Sequence, residues 1–327
     1  MSDPSKLDIL NNNNNDLSSL TASPIATIWS SISNSSIFKF FKTGFIIGTS
    51  CALVALLGVY AFQSNIIYPA GLNGGHGKVD TPDEYDMPYE ALDLKTSDGE
   101  TIKAFSILQD PNDPNYTNKT VLVLCPNAGN MGHFLPVVQY IYESLRYNVF
   151  IYSYRGYGHS TGKPSERGLK IDADTVAAYI RSNKQLSNSS IIPYGRSLGG
   201  AVAIYITAKY PDLISGLILE NTFLNIPGVI PHLFPFLGPF KYLCHQIWNS
   251  EHEITNIPSR IPVLFFSGLD DEIVPPSHMK KLYDLSTSTS KQWLDFEGAH
   301  HNDTIIQPGY WEAFHKFCLT QVNPVGK

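Results

Sequence analysis

Ile191-Ile192-Pro193-Tyr194-Gly195-Arg196-Ser197-Leu198-Gly199-Gly200 decides the fold. A short apolar run meets a serine set between glycines, and then Leu198, Ala201, Val202, Tyr205 and Ala208 recur on one helical face until Pro211 closes the segment. This reads as a strand turning sharply into a helix with Ser197 at the bend. Gly195-Arg196-Ser197-Leu198-Gly199 fits G-x-S-x-G, in which the glycines keep side chains away from a strained serine whose hydroxyl projects from the top of a sheet. A serine between glycines is often a plain loop, but the strand-turn-helix setting is the context the motif requires. Pro193 lies inside the presumed central strand, where it removes a ladder hydrogen bond.

The surrounding chain alternates strand and helix. Apolar runs at 120–125, 148–154, 190–195, 214–220, 261–267 and 292–296 suit strands of a sheet covered on both faces. Leu169, Ala173, Val176, Ala177 and Ile180 form a helical stripe, as do Tyr310, Ala313, Phe314 and Phe317. That alternation implies a mostly parallel, doubly wound α/β sheet. Ahead of it, 91–95 and 101–108 read as two strands joined by an Asp98-Gly99 turn. The longer stretch 222–258, rich in Pro and aromatics, reads as a small helical cap.

The N-terminal portion is different. Residues 1–37 are rich in Asn and Ser and read as a disordered tail. Residues 44–62 carry no charge and are long enough to cross a bilayer, within a signal anchor at 38–63. A cleaved signal peptide would start nearer the N-terminus, a core helix would show a polar face, and a mitochondrial presequence would hold arginines, whereas the first arginine is Arg146. Lys39 and Lys42 precede the span and none follow it until Lys78, so the tail is expected in the cytosol. The folded domain is then lumenal or extracellular, on a single-pass protein of the endoplasmic reticulum or plasma membrane. Residues 64–87, with several Gly and Pro, read as a linker, and the catalytic domain as 88–327.

With 327 residues, 43% hydrophobic, the chain can bury a full core. A net charge of -6 and no Lys/Arg-rich run give no surface for nucleic acid. Cys51, Cys125, Cys244 and Cys318 are scattered in apolar runs and read as small apolar residues. Gly156, Gly158 and Gly162 lack the dinucleotide-binding spacing and read as a tight turn, so no cofactor is implied.

A serine hydroxyl attacks a carbonyl only with a base to take its proton and an acid to orient that base. Phe265-Phe266-Ser267-Gly268-Leu269-Asp270-Asp271-Glu272-Ile273-Val274-Pro275 ends a buried strand in acids, and Glu297-Gly298-Ala299-His300-His301-Asn302-Asp303 ends the next strand in histidines. The histidine pair with Asp303 is not a metal site on spacing, since adjacent histidines do not readily converge on one ion.

These segments, with Pro126-Asn127-Ala128-Gly129-Asn130 and Tyr154-Arg155-Gly156-Tyr157-Gly158-His159-Ser160-Thr161-Gly162, resemble the α/β-hydrolase superfamily, in its membrane-anchored bud-emergence (Bem forty-six) branch. The resemblance covers roughly residues 88–320. It implies a Ser197, Asp271, His301 triad, with Asp270 and His300 as the lesser members of each adjacent pair. The oxyanion hole it implies is built from the Leu198 N–H and the Asn127-Ala128 loop. The sequence departs from the family at Cys125-Pro126, where His-Gly is usual, and proline donates no N–H. The reading is a serine hydrolase of the esterase, lipase or thioesterase type acting on an acylated or lipid-like substrate. The contrasting reading is a non-catalytic scaffold of the same fold serving membrane organisation or morphogenesis, which would not need all three residues.

Overall fold

The computed structural model describes residues 24–322. They fall into two compact units, one reaching Val59 and one from Tyr60 onward. In the first unit, the helix Pro24–Asn34 occupies part of the stretch expected to be disordered, while residues 1–23 of that expectation lie outside the described residues. Ile25, Ile28, Trp29 and Ile32 recur at helical spacing behind an initial proline, a period hidden by the Asn/Ser-rich composition around it.

The helix Ser36–Ile67 has 32 residues. Among the described residues it is the one helix long and apolar enough to cross a membrane, its most apolar 18-residue window having a mean hydropathy of 2.2. At 1.5 Å per residue it is about 48 Å long. The expected span lies within it, but the helix runs on past the expected boundary at 63 to Ile67, its last turns from Tyr60 onward belonging to the second unit.

The second unit is built on eight strands: β1 Glu90–Lys95, β2 Thr101–Ile107, β3 Lys119–Leu124, β4 Asn148–Tyr152, β5 Ser190–Arg196, β6 Leu217–Glu220, β7 Val263–Gly268 and β8 Lys291–Phe296. Their order is β1-β2-β4-β3-β5-β6-β7-β8. β2 runs antiparallel to both its neighbours, and every other pairing is parallel. The chain steps from β3 to β4 in one direction and then to β5 on the other side of β3. With right-handed crossovers, that reversal puts helices on both faces and opens a crevice at the carboxyl ends of β3 and β5. β3, β4, β5, β6 and β7 are buried almost throughout, as near-continuous apolar runs require. The stripe Leu169, Ala173, Val176, Ala177 and Ile180 is the buried face of the helix Glu166–Ser182.

Pro193 is accommodated by a bulge. Ile191 bridges Ile214, and Tyr194 pairs with Ile218, so three steps along β5 match four along β6. The extra residue lies opposite Pro193, where the missing N–H breaks no regular ladder bond. It also explains why β6 starts at Leu217, later than its apolar run.

Residues 64–87 are not a linker. Residues 64–67 finish the long helix, and Tyr68, Ala70, Val79 and Met87 are buried in the core. Gly75 serves close approach rather than flexibility: a Cβ there would lie 2.0 Å from the Ala70 carbonyl oxygen and 3.0 Å from that of Gly129, while Gly74 supplies a turn at φ 70°. This strap reaches the cap, which lies between β6 and β7 and contains Ile226–Leu233, Pro235–Leu243, Ser250–Glu253 and Ile254–Asn256. Trp248 Nε1 donates to Tyr68 Oη at 2.8 Å, and Tyr68 Oη donates to Gln246 Oε1 at 3.2 Å.

Arg155, just after β4, ties three elements together. Its backbone N–H and Nε donate to Asp172 of the helix Glu166–Ser182 at 2.8 and 2.9 Å, and its guanidinium bonds Asp98 of the β1–β2 turn at 2.7 and 3.0 Å. Asp172 is fully buried, whereas the Asp98 side chain is partly exposed. Asp172→Ala leaves a buried guanidinium short of its partner and is expected to cost about 3–5 kcal/mol. Asp98→Ala is expected to cost only about 1 kcal/mol, because water replaces the lost partner. Urea unfolding of the detergent-solubilised protein reads both; equal costs would contradict the account.

Candidate active site

Ser197 sits at the turn from β5 into the helix Leu198–Lys209 with φ 55° and ψ −119°. Two close approaches dictate the glycines that flank it. A Cβ on Gly195 would lie 2.1 Å from the Gly199 carbonyl oxygen, and one on Gly199 would lie 1.9 Å from that of Leu124. Both atoms are backbone and cannot yield, so the strained serine is held by neighbours with no side chain. Its N–H donates to the Glu220 carbonyl at 3.0 Å, and its own carbonyl accepts from Thr222 Oγ1 at 2.7 Å.

Asp271 and His301 meet. Asp271 Oδ2 lies 2.7 Å from His301 Nδ1, with both side chains buried. A carboxylate only accepts, so Nδ1 carries the proton and Nε2 is left as the acceptor. Asp271 Oδ1 accepts from the N–H groups of Ile273 and Val274 at 2.9 and 2.8 Å, which fixes the other end of the carboxylate. The adjacent Asp270 and His300 are exposed. His300 Nδ1 instead faces Glu272 at 3.3 Å, and hydrogen bonds from backbone N–H groups, its own first and then that of His301, hold the Glu272 carboxyl below the usual range. Ser197 Oγ has no hydrogen-bond partner among the described residues; such contacts often tighten only when substrate binds.

Leu198 occupies the first turn of its helix, where backbone N–H groups lack internal partners. The loop after β3, carrying Asn127 and Ala128, is fixed from several sides. Tyr154 Oη donates to the Cys125 carbonyl at 2.9 Å, Tyr157 Oη to the Asn127 carbonyl at 3.0 Å, and Asn127 Nδ2 to the Ile67 carbonyl at 3.2 Å. Asn130 Oδ1 accepts from the Gly132 N–H at 2.9 Å while its Nδ2 reaches the Lys78 carbonyl at 3.2 Å. The glycine-rich loop after β4 thus aims tyrosines at the β3 loop, and the strap closes the other side.

Asn221 is a site residue that the motifs do not reveal. Buried just after β6 with φ 44°, it accepts from the Gly268 N–H at 2.8 Å. Its Nδ2 donates to Thr304 Oγ1 at 2.8 Å and to the carbonyls of His301 and His300 at 3.1 and 3.4 Å. One amide therefore joins the turn that leads to Asp271 with the loop that carries His301, and the next residue, Thr222, holds the serine turn. The one available sequence signal was an Asn directly after a buried strand, a residue that tolerates positive φ.

An eight-stranded sheet in this order, with a serine on a strained turn after its fifth strand, defines the α/β-hydrolase class. The profile of the alpha/beta hydrolase fold family matches residues 120–241. Over 281 residues the chain is 47% identical to the uncharacterized membrane protein YNL320W of Saccharomyces cerevisiae, covering 86% of this chain and 96% of that one. Over 286 residues it is 43% identical to protein bem46 of Schizosaccharomyces pombe, covering 87% and 95%. The solved esterase Pf2001 of Pyrococcus furiosus shares the fold at 19% identity with a TM-score of 0.61, over 74% of this chain and 96% of that one. An alpha-beta hydrolase from Vibrio vulnificus does so at 19% identity and 0.62, over 78% and 92%. The chain belongs to the α/β-hydrolase family, in the branch that contains bem46.

The role given to Asn221 has a measurable cost. Asn221→Gly keeps the positive φ but strips the amide, leaving buried partners unpaired, and is expected to lose about 2–4 kcal/mol of stability. Asn221→Ala adds the left-handed strain of a Cβ and is expected to lose about 1 kcal/mol more. Urea unfolding of both variants tests this, and two near-neutral values would remove Asn221 from the account.

Proposed function

We propose that this chain is a membrane-anchored serine hydrolase that cleaves carboxylic ester or acyl thioester bonds. The observation that carries the reading is the buried 2.7 Å contact between Asp271 and His301, at the same carboxyl edge of the sheet as the strained Ser197. In the proposed cycle Ser197 Oγ attacks the acyl carbonyl while His301 Nε2 takes its proton, and Asp271 steadies the imidazolium through Nδ1–H. The oxyanion is met by the Leu198 N–H and by the Asn127-Ala128 loop. His301 then protonates the leaving group, and water, activated by the same imidazole, hydrolyses the acyl-enzyme.

The test is covalent. A fluorophosphonate probe is expected to label Ser197, and Ser197→Ala should lose the label and about a million-fold in turnover if the three residues act as a unit. Asp271→Asn and His301→Ala should each cost several orders of magnitude, with Asp270→Asn and His300→Ala close to wild type. Equal labelling of wild type and Ser197→Ala would instead favour the scaffold reading.

The anchoring part rests on the helix Ser36–Ile67, on the membrane protein among the relatives, and on Lys39 and Lys42 before the apolar run. It puts the hydrolase domain on the lumenal or extracellular side, where Asn115-Tyr116-Thr117, Asn118-Lys119-Thr120 and Asn188-Ser189-Ser190 are glycan acceptor sequons. Asn115 and Asn188 are exposed, but the Asn188 amide donates to the Lys184 carbonyl at 2.9 Å and the Asn118 amide to the Asn188 carbonyl at 2.8 Å, so Asn115 is the favoured acceptor. Endoglycosidase treatment of the membrane-bound protein should raise its gel mobility, and Asn115→Gln should remove most of that shift. Digestion of the domain by protease added outside sealed microsomes, with no glycan shift, would place it in the cytosol.

A further inference from the structure

The cap carries an apolar surface that neither the core nor the site uses. Phe234, Phe236, Phe240, Tyr242, Leu243 and Ile247 are all exposed, Phe236 at 72% and Tyr242 at 84%. A row of aromatic side chains this open to solvent is unusual for a soluble surface and marks a place where something docks. From 221 to 250 there is no Asp or Glu, and Lys241 is the one Lys or Arg, its Nζ 5.3 Å from the Tyr242 ring. Aromatic rings beside a lysine, with Glu166 at the edge bonded to the Ile247 N–H at 2.6 Å, suit the level of lipid headgroups, where amphipathic rings sit and a lysine stem lies along apolar surface.

The chain itself says which surface is at hand. Gln63 follows the last apolar turn of the expected span, and it is already bonded to the cap: its Oε1 accepts from the His245 N–H at 2.7 Å and its Nε2 donates to the Leu243 carbonyl at 3.4 Å. One turn earlier, Tyr60 packs edge-on against the His245 ring at 5.3 Å between centroids. Tyr68 then bonds Gln246 and Trp248. The residues that leave the apolar helix therefore hold the very segment that bears the exposed rings.

We propose that the Pro235–Leu243 face of the cap is a membrane-docking surface that rests in the headgroup region of the bilayer the helix Ser36–Ile67 spans, so that acylated substrate reaches the domain from that bilayer rather than from bulk water. This rests on the anchoring part of the proposed function. The alternative occupant, a second copy of this chain, is separated by the test.

The experiment uses the full chain in single-copy nanodiscs of phosphatidylcholine containing a phospholipid with a diazirine near its glycerol. After illumination, lipid adducts are mapped by mass spectrometry. Adducts are expected on 44–62 and also on 234–247, with none on the polar loop 110–116. The pair Phe236→Glu and Tyr242→Glu should lose the cap adducts while keeping those on 44–62 and leaving hydrolysis of a short water-soluble ester unchanged. Adducts on 44–62 with none on the cap would overturn the docking surface alone, and no adducts on 44–62 would overturn the anchor. Amine cross-links joining Lys241 of two caps in liposomes, in place of lipid adducts, would give the face to a second copy and overturn it equally.

Discussion

The Cα of Gly199 has no room for a side chain, because the carbonyl of Leu124 stands where a Cβ would be. Much of the site follows from that contact. It brings the start of the helix after β5 against the end of β3, so the strand that leads into the Asn127-Ala128 loop and the helix that begins at Leu198 meet edge to edge. Ser197 between them can then occupy only a narrow backbone conformation, at φ 55°, which costs about 1–3 kcal/mol in isolation. The surroundings offset this through the Glu220 carbonyl at the end of β6 and the hydroxyl of Thr222 just after it. Strain at the serine is thus sustained by the register of β3, β5 and β6 together.

On the histidine side, one tight contact brings the His301 loop against the end of β7, where a Cβ on Gly268 would lie 2.6 Å from the Ala299 carbonyl oxygen, and polar side chains do the rest. Asn221 spans the Gly268 turn and the His301 loop, Asp271 is fixed at one oxygen by two backbone N–H groups, and its other oxygen faces the imidazole. Such a network orients well only when every member is satisfied. Both halves of the site thus combine a glycine close approach with hydrogen bonds, and they meet at consecutive residues, Asn221 and Thr222.

What was legible in the sequence is what local chemistry encodes. Buried parallel strands read as apolar runs, the turn at Ser197 as glycines around a serine, and the Asp271 and His301 loops as acids and histidines at strand ends. What was not legible depends on partners far along the chain. Glycines in 64–87 signal a turn whether they serve flexibility or close approach, and only the Ala70 and Gly129 carbonyls decide it. Tyr68 finds Gln246 and Trp248 across nearly the whole domain, with no periodicity to announce it. Pro193 contradicts a central strand until the extra residue in the neighbouring strand is seen. The helix Pro24–Asn34 carried its own period, but an Asn/Ser-rich neighbourhood masked it.

The bond between Gln63 and the cap has a consequence for where this protein can act. A tethered enzyme on a flexible linker samples a hemisphere whose radius grows with the square root of linker length, and can work on neighbouring vesicles or on solutes that drift past. Here the chain has no slack: the residue after the apolar run is already part of the folded domain. On the proposed anchoring, no flexible linker of that kind lies between the apolar run and the domain to extend its reach. On the proposed function, the search for a substrate would then be lateral diffusion in two dimensions, with encounter rates set by surface density rather than by concentration in solution.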